Sequence, residues 1–422
     1  MPDFKKKILV VGTTGDYIEH ISRKLPGRAV FITDPDSVNG RDKLSDSEEL
    51  IVPLSEGNGF KKNLIHFLDR EKYVPSGVVC FDCESLSAAA SVAEFFGLPF
   101  PSQKTIALCR DKLESKKAWW ENAVPCPVTM PVYSRDQLLH SLGETGLSAI
   151  LKPLNGSGSE LTFRCETDEE ALRAFNMICS GLRERSDSRM YRKHGTDRQS
   201  PDIVCEEFVQ GTEYSCDVFF DKKNPCILRL ARKYLNPEAP TGTILAYEIP
   251  ADLPGASSLN ELESYLKTIA CVMDLDQCLG MVDFIWQDDK PCFLEVTPRL
   301  GGDCLPLLVR ESCGVDMLEI ALDVSEGKIP SMPPPENWER LLGVRFHAEK
   351  AGVFKGVNFD EMAWKRMARQ FQILKKTDDI IKLPPEDYSS WLIAQGIFKI
   401  LSGCDTAEAL KEIKNGLKME IR

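Results

Sequence analysis

The sequence predicts an α/β fold for the first 108 residues and a mixed α+β architecture for the remainder of the chain. At the start, the β-rich runs KILVVG, RAVFIT and VVCFD are separated by helical patterns such as ESLSAAASVAEFFG. This alternation is typical of a doubly wound parallel sheet, whose ligands bind at the carboxyl ends of the strands. Beyond it, strand-like and helix-like runs are mixed.

Length and composition indicate a globular protein of two or three domains. The chain has 422 residues, 43% of them hydrophobic and 27% charged, with a formal net charge of −12. Such an acidic balance argues against a nucleic-acid surface, and no apolar run approaches the length of a membrane span. The start runs directly into a strand without a signal peptide, which predicts a cytoplasmic location.

The fifteen cysteines are scattered within apolar segments rather than arranged as a disulfide framework. This pattern indicates reduced, buried thiols. The pair Cys80 and Cys83 forms a C-x-x-C motif, but no second pair lies at zinc spacing, so a packing role is expected.

Several loops and boundaries follow from local signals. The GTTG run at 12–15 follows the first strand and is either a phosphate loop or a simple tight turn. Asp111 begins a helical pattern that extends to Asn122, with Glu114 at the spacing of a capping box. The Pro-rich VPCPVTMP then marks a domain boundary.

Lys152 ends the apolar strand AILK and precedes the loop NGSGSE at 155–160. Glycines let backbone N–H groups approach phosphate oxygens, serines add hydroxyl donors, and the ammonium neutralises phosphate charge. The stretch therefore predicts a phosphate clamp. A hairpin turn with a nearby surface lysine is the alternative.

Two basic segments have weaker signals. Residues 183–200, RERSDSRMYRKHGTDRQS, are polar and predict a mobile surface loop. Arg229, Arg232 and Lys233 form a second cluster, which is either a solvated face or a binding site for a substrate carboxylate.

The run MVDFIWQDDKPCFLEVTPRLGG at 281–302 predicts an antiparallel hairpin. A turn near Asp289 places Asp283 opposite Glu295, and two opposed acids destabilise a sheet unless a cation lies between them. Alternation then puts Thr297 and Arg299 on the same face as Glu295. A divalent-cation site is predicted, with a solvated sheet face as the alternative.

The order of these parts resembles the ATP-grasp superfamily, which includes D-alanine:D-alanine ligases, L-amino acid ligases and biotin carboxylase. The resemblance extends over nearly the whole chain. It implies four parts: an N-terminal domain over residues 1–108, a linking helix over 109–124, a mobile lid over 125–211, and a C-terminal subdomain with the metal site over 212–422.

The resemblance also implies an ATP site. The segment CEEFVQGTEYSCDVF is similar to the family's adenine hinge, so Glu206 would accept a hydrogen bond from the adenine amino group and Glu213 would hold the ribose. The implied ATP contacts are Lys112, Lys152, Gly156, Ser157, Gly158, Ser159, Glu206, Glu207, Phe208, Val209 and Glu213.

The hairpin matches the family's metal strands. Asp283 and Glu295 would then bind two Mg²⁺ ions that bridge the ATP phosphates, with Mn²⁺ as a substitute. Thr297 stands where the family usually has Asn, so a hydroxyl or a water replaces the expected amide oxygen. Arg299 would reach the transferred phosphoryl group or the substrate carboxylate.

The implied reaction is an ATP-dependent carboxylate:amine ligation. A carboxylate attacks the γ-phosphate, and an amine captures the resulting acylphosphate, while Mg²⁺, Lys112, Lys152 and Arg299 balance the moving charge. The expected partners are small carboxylates and amines, such as amino acids, and a homodimer is left open. The alternatives are a biotin-carboxylase-like enzyme that uses bicarbonate and a regulatory ATP-binding protein without turnover.

Overall fold

The computed structural model describes the chain except for residues 1–3, 39–42, 55–57, 146–147, 192–201, 256, 360–363, 365 and 402. No helix within these described ranges is both long enough and apolar enough to cross a bilayer.

The N-terminal part is a parallel sheet covered by helices, so the predicted fold class is confirmed. Its strands lie in the order β3-β2-β1-β4 and all pair in parallel. The strands are β1 Lys5–Val11, β2 Ala29–Thr33, β3 Glu49–Ile51 and β4 Tyr73–Val79, and the helices are α1 Gly15–Lys24, α2 Asn58–Glu71, α3 Leu86–Phe96 and α4 Gln103–Arg110. Strand β3 has only three residues, too few to give a sequence pattern.

A helix, α5 at Lys112–Glu121, connects this sheet to the next one. Asp111 caps it, because its side chain accepts hydrogen bonds of 2.9 Å from the backbone N–H groups of Leu113 and Glu114. The cap satisfies donors that the first helical turn leaves free and fixes where the helix begins.

The second sheet is small and antiparallel, with the order β5-β8-β6-β7. Its elements are β5 Thr129–Val132, α6 Arg135–Thr145, β6 Ala149–Pro153, β7 Phe163–Cys165, α7 Asp168–Glu184 and β8 Ile203–Glu207. Both helices pack on one face and bury a separate apolar core. The Gly/Ser loop at 155–160 connects β6 to β7.

The largest sheet has eight strands in the order β13-β12-β9-β10-β11-β14-β18-β16, and a three-stranded sheet, β17-β15-β19, lies beside it. The strands are β9 Thr212–Asp221, β10 Asn224–Leu235, β11 Ile244–Ile249, β12 Cys278–Gln287, β13 Lys290–Thr297, β14 Leu341–His347, β15 Gly352–Phe359, β16 Ala368–Ile373, β17 Ile380–Ile381, β18 Leu392–Lys399 and β19 Leu417–Ile421. The helices are α8 Ser258–Met273, α9 Leu305–Cys313, α10 Met317–Ser325 and α11 Thr406–Asn415.

Strands β12 and β13 form the predicted hairpin, closed by the two residues Asp288 and Asp289. Both have positive φ, 46° and 61°. A two-residue hairpin turn of the type whose twist matches that of its strands requires positive φ at both positions, and aspartate tolerates it better than most residues do.

The hairpin contains a β-bulge. Phe284 pairs with Phe293 but Asp283 pairs with Glu295, so Leu294 is an extra residue on β13. In a regular ladder with the same sequence, Leu294 would lie opposite Asp283. Glu295 would then point to the other face of the sheet, since side chains alternate along a strand. The bulge therefore brings the two acids together.

The prediction of a mobile loop over residues 183–200 is wrong for its first half. Helix α7 extends to Glu184, and Arg189–Tyr191 form a turn of 3-10 helix. Arg189 contacts the N-terminal domain, 3.4 Å from Asp34 Oδ2 and 3.0 Å from Ser85 Oγ. Residues 192–200 lie outside the described residues.

Candidate active site

The two hairpin carboxylates are the centre of the candidate site. Asp283 and Glu295 are cross-strand partners, and Oδ1 of Asp283 is buried without a hydrogen-bond partner in the described part of the chain. Thr297 follows on the same face of β13 and is 8% exposed. The hairpin thus presents three oxygen-bearing side chains together.

Lys233 on β10 lies against this group. Its ammonium is 2.8 Å from Asp283 Oδ2 and 2.8 Å from Glu213 Oε1. Burial alone would lower the pKa of Lys233, but the two carboxylates raise it, so the ammonium stays charged. Burial raises the pKa of Asp283, against the opposing effect of Lys233.

The basic cluster that the sequence suggested on β10 is not one group, because Arg229 and Lys233 are buried whereas Arg232 is exposed. Arg229 is 1% exposed, and its Nε donates to Asp217 Oδ2 at 2.7 Å. Arg232 points the other way, with its guanidinium 5.0 Å from the centre of the Tyr234 ring. Lys233 alone reaches the hairpin acids, because alternation places it on the opposite face from Arg232.

Three lysines surround Glu206 and Glu295. Glu206 is 2% exposed and accepts from Lys152 at 2.6 Å and from Lys116 at 3.0 Å. Burial would raise the pKa of Glu206, but these two ammonium groups lower it to about 2. The pKa of Glu295 is likewise lowered, by Lys112 and Lys152 against the effect of burial.

Lys112 has less compensation for its burial, which lowers its pKa to about 8. Its ammonium donates to the Leu154 carbonyl at 3.3 Å, at the start of the Gly/Ser loop. The helix, the loop and the hairpin therefore bring positive and negative charge to one place. An anion that carries metal ions, such as a nucleoside triphosphate, would complement both the ammonium groups and the carboxylates.

The Gly/Ser loop is held by other parts of the chain. Ser157 Oγ lies 3.6 Å from Met190 Sδ, and Ser159 Oγ donates to the Gly242 carbonyl at 3.2 Å. Gly156 and Gly158 both have positive φ, 154° and 66°, a conformation that side chains rarely adopt.

The predicted adenine hinge follows β8. The backbone N–H groups of Glu207 and Phe208 donate to the carbonyls of Val128 and Ser148, at 2.9 and 3.1 Å. The guanidinium of Arg164 stacks 3.8 Å from the Phe208 ring centre. Val209 is 8% exposed. These contacts tie the start of the hinge backbone to the small antiparallel sheet.

Arg299 lies between the N-terminal sheet and the large sheet. It donates from Nε and Nη2 to Cys83 Sγ, at 3.2 and 3.0 Å, and from Nη1 to the Leu300 carbonyl at 2.6 Å. Cys83 is 5% exposed and follows β4, so the C-x-x-C cysteine has a polar contact as well as a packing role. Sequence reasoning missed this contact.

A second polar group lies next to Arg299. Asp303 Oδ2 accepts from Tyr247 Oη at 2.8 Å and from Arg345 Nη1 at 3.0 Å. The Nε of Arg345 is buried without a hydrogen-bond partner in the described ranges. Burial, together with Arg345, lowers the pKa of His347 to about 3, so this imidazole is neutral.

The residues present fit a magnesium ion that arrives with phosphate. Among the described residues, no group of three or more His, Cys, Asp or Glu could hold a metal unaided. Mg²⁺ is usually bound through one or two carboxylates, with phosphates and water as the other ligands. Asp283 and Glu295, with the unpartnered Oδ1 of Asp283, supply that number of carboxylates.

Sequence reasoning missed Lys116, Asp303 and Arg345, and it named Lys233 only as part of a basic cluster, without its contact to Asp283. For Lys116 a signal existed, because it lies four residues after Lys112 and therefore on the same face of α5. The others are set by strand pairing between distant segments.

Comparison with known proteins gives one family match. Residues 145–307 match the model of the ATP-grasp domain. An uncharacterized protein, y4rH of Sinorhizobium fredii, is 26% identical over 252 residues, which are 56% of this chain and 48% of that protein. The chain thus spans about half the length of this relative.

Two further matches are enzymes. A D-alanine–D-alanine ligase of Paracidovorax citrulli is 24% identical over 253 residues, 56% of this chain and 68% of that protein. The structure of an L-amino acid ligase from Bacillus licheniformis superimposes with a TM-score of 0.75 and 16% identity, covering 100% of this chain and 99% of that one. At this identity the structural likeness shows the fold alone.

Proposed function

Because the chain has an ATP-grasp fold and carries an ATP-grasp domain over residues 145–307, we propose that it is an ATP-dependent carboxylate:amine ligase. In this reaction a carboxylate oxygen of one substrate attacks the γ-phosphorus of ATP, and ADP leaves. The amine of a second substrate then attacks the acyl carbon of the acylphosphate and loses a proton. Inorganic phosphate leaves, and an amide remains.

The observation that carries this proposal is the opposed pair Asp283 and Glu295 beside Lys112, Lys152 and Lys233. Little covalent chemistry falls to the protein in phosphoryl transfer, so positioning and charge stabilisation dominate. Lysines that are already desolvated and fixed by neighbouring acids meet the charge of the phosphoryl group without reorganising.

Asp283 and Glu295 would hold magnesium, with Thr297 contributing a hydroxyl or a bound water. Two ions are proposed, with Mn²⁺ able to replace them. When bound, the metal neutralises phosphate charge and polarises the phosphoryl oxygens. The protein's own contribution is to fix both carboxylates on one face of a rigid hairpin, with Lys233 balancing Asp283.

For the nucleotide, we propose that Lys112 and Lys152 contact the phosphates beneath the Gly/Ser loop. Glu206 accepts from the adenine amino group, since each carboxylate oxygen keeps a lone pair beyond its lysine contact. Glu213, anchored by Lys233, holds the ribose.

The acid and amine substrates are proposed to bind between Arg299 and the Asp303–Arg345 pair, which adjoin the carboxyl ends of the N-terminal strands. Guanidinium groups bind carboxylates in bidentate fashion, and Asp303 offers an acceptor for an ammonium group. Both charges of an amino acid are thereby matched. The proposed partners are therefore small molecules, in the cytoplasm, without nucleic acid or membrane, and a homodimer is compatible with the proposal.

The test supplies the purified protein with Mg-ATP, pools of amino acids and small carboxylic acids, and, in a separate arm, bicarbonate. Release of ADP with an amide product is expected. A hit is then repeated with its carboxyl group labelled with ¹⁸O, because the acylphosphate route transfers one label into inorganic phosphate. AMP and pyrophosphate as products, or turnover with bicarbonate alone, would overturn the proposal.

A further inference from the structure

The Gly/Ser loop contacts a segment far away in the sequence, residues 383–390, which we call the C-terminal brace. We propose that the brace, acting through Arg185, positions the Gly/Ser loop for nucleotide binding. This inference rests on the proposed function of the loop as the cover of the ATP phosphates. Arg185 is then a positioning residue, remote from the reacting atoms.

Arg185 connects the end of the loop to the brace. Its Nε donates a hydrogen bond of 2.8 Å to Oε1 of Glu160, and Glu160 is the last residue of NGSGSE. Its Nη2 lies 3.3 Å from the carbonyl oxygen of Pro385 and 3.4 Å from that of Glu386. The side chains of Arg185 and Glu160 are only 17% and 21% exposed, so water weakens this contact little.

A second contact of the brace is apolar. Tyr388 packs against the core of the small antiparallel sheet, which includes Leu161, directly after Glu160. Burial raises the pKa of the Tyr388 phenol, in accord with its position inside this contact. Leu161 in turn packs on helix α7, where a methyl group at Gly181 would come within 2.7 Å of it.

The loop is held from its other side by the turn at 240–242. Ser159 Oγ donates to the Gly242 carbonyl, and the Arg164 N–H donates to Thr241 Oγ1, each at 3.2 Å. Gly242 has φ of +80°, and a Cβ there would lie 2.4 Å from Ser159 Oγ. Two separate segments of the C-terminal subdomain therefore hold the end of the loop and the residues that follow it.

The chemistry of Arg185 suits this position. A guanidinium has five donors in a fixed plane, so one side chain can bind a carboxylate and two carbonyl groups at once. Lysine could keep the ion pair with Glu160 but has no rigid fork for the brace carbonyls. Arg173 of α7, in contrast, is 64% exposed, and its recorded ion pair in the described part of the chain is with Glu169 of its own helix.

The experiment compares Arg185→Ala, Arg185→Lys and Tyr388→Ala with the control Arg173→Ala. Binding of Mg-ADP is measured by calorimetry, and hydrogen exchange is followed in peptides covering 156–161. We expect the dissociation constant for Mg-ADP and the KM for ATP to rise about fivefold in both alanine variants, with kcat within about twofold. Exchange in 156–161 should quicken about tenfold, and Arg185→Lys should lie between.

The inference is overturned if Arg185→Ala and Tyr388→Ala match the control in binding and in exchange. It is also overturned if exchange quickens throughout β6 and β8, because the brace would then only stabilise the sheet. Failure of the proposed function is a separate result, in which the unsubstituted protein itself does not bind Mg-ADP.

Discussion

The ammonium of Lys233 lies 2.8 Å from Asp283 Oδ2, whereas Glu295, directly across the hairpin from Asp283, is balanced by Lys112 and Lys152 without a comparably close ion pair among the described residues. The two acids are therefore not equivalent. One oxygen of Asp283 is already paired with an ammonium, so Glu295 has more oxygen atoms available to bind a cation. This asymmetry determines which substitution should matter more.

We predict that Glu295→Gln lowers turnover by at least ~10²-fold, the loss typical of removing a main electrostatic group at a transition state. Glutamine keeps the shape but not the charge that balances the metal ions. Asp283→Asn should be milder. The fold should survive, because removing one of two opposed acids relieves repulsion.

The control is Asp289→Asn at the exposed tip of the same hairpin, which should leave turnover unchanged. Steady-state rates at saturating Mg-ATP and urea unfolding decide the matter together. Near-normal turnover of Glu295→Gln, or its unfolding, would show that the hairpin is structural.

We predict that kcat/KM for Mg-ATP falls as the pH rises through about 8. Burial lowers the pKa of Lys112 to about 8, so the free enzyme loses this ammonium at a pH where an exposed lysine stays charged. Above that pH the ATP phosphates face one positive charge fewer, because Lys112 is neutral. Lys112→Arg should remove the decline, because arginine keeps its charge. A flat profile for the unsubstituted enzyme, or the same decline in Lys112→Arg, would contradict the assignment.

We predict that Cys83→Ala lowers kcat about tenfold while the dissociation constant for Mg-ATP stays nearly constant. The thiol accepts from both Nε and Nη2 of Arg299, and without it the guanidinium loses its alignment with the substrates. Cys83→Ser, which retains an acceptor, should restore part of the rate. Cys226→Ala, at an exposed cysteine, serves as the control. Equal rates for Cys83→Ala and the control would show that Arg299 needs no support from the N-terminal domain.

We predict that Lys116→Met lowers the free energy of unfolding by about 2 kcal/mol. Glu206 would keep its ion pair with Lys152 but lose the one with Lys116. The loss of stability is moderated because burial lowers the pKa of Lys116, so the folded protein already bears a penalty for holding this charge. Lys117→Met, exposed on the same helix, should change stability by less than about 0.5 kcal/mol. Urea unfolding at neutral pH measures both. Equal midpoints would show that Lys152 alone satisfies Glu206.

The parts of the fold that follow local rules could be predicted from sequence. Alternating β-rich and helical runs indicated the parallel N-terminal sheet, and Asp111 marked the start of α5. The cross-strand pairing of Asp283 and Glu295 was also predicted, although for an incomplete reason, because the turn alone does not produce it and the bulge at Leu294 is needed.

Non-local polar contacts could not be predicted in the same way. Lys233 reaches Asp283 only because β9 lies between β10 and β12, an order that no local pattern specifies. The start of the 183–200 segment was expected to be mobile because it has few apolar residues. It is nevertheless packed, since Arg185 and Arg189 hold it through ion pairs and hydrogen bonds. A prediction based on hydrophobicity does not detect such polar contacts.

The bulge at Leu294 makes chain length at this point as important as side-chain identity. Inserting one residue between Leu294 and Glu295 would leave every proposed ligand present in the sequence, yet with the same bulge it would shift the remainder of β13 by one position and turn Glu295 and Thr297 toward the apolar core. A homologue that keeps both acids and the bulge but has one residue more between the bulge and the second acid would therefore not be expected to share this metal site. Comparisons that score only matched residues, without counting the spacing between them, would misjudge such a protein.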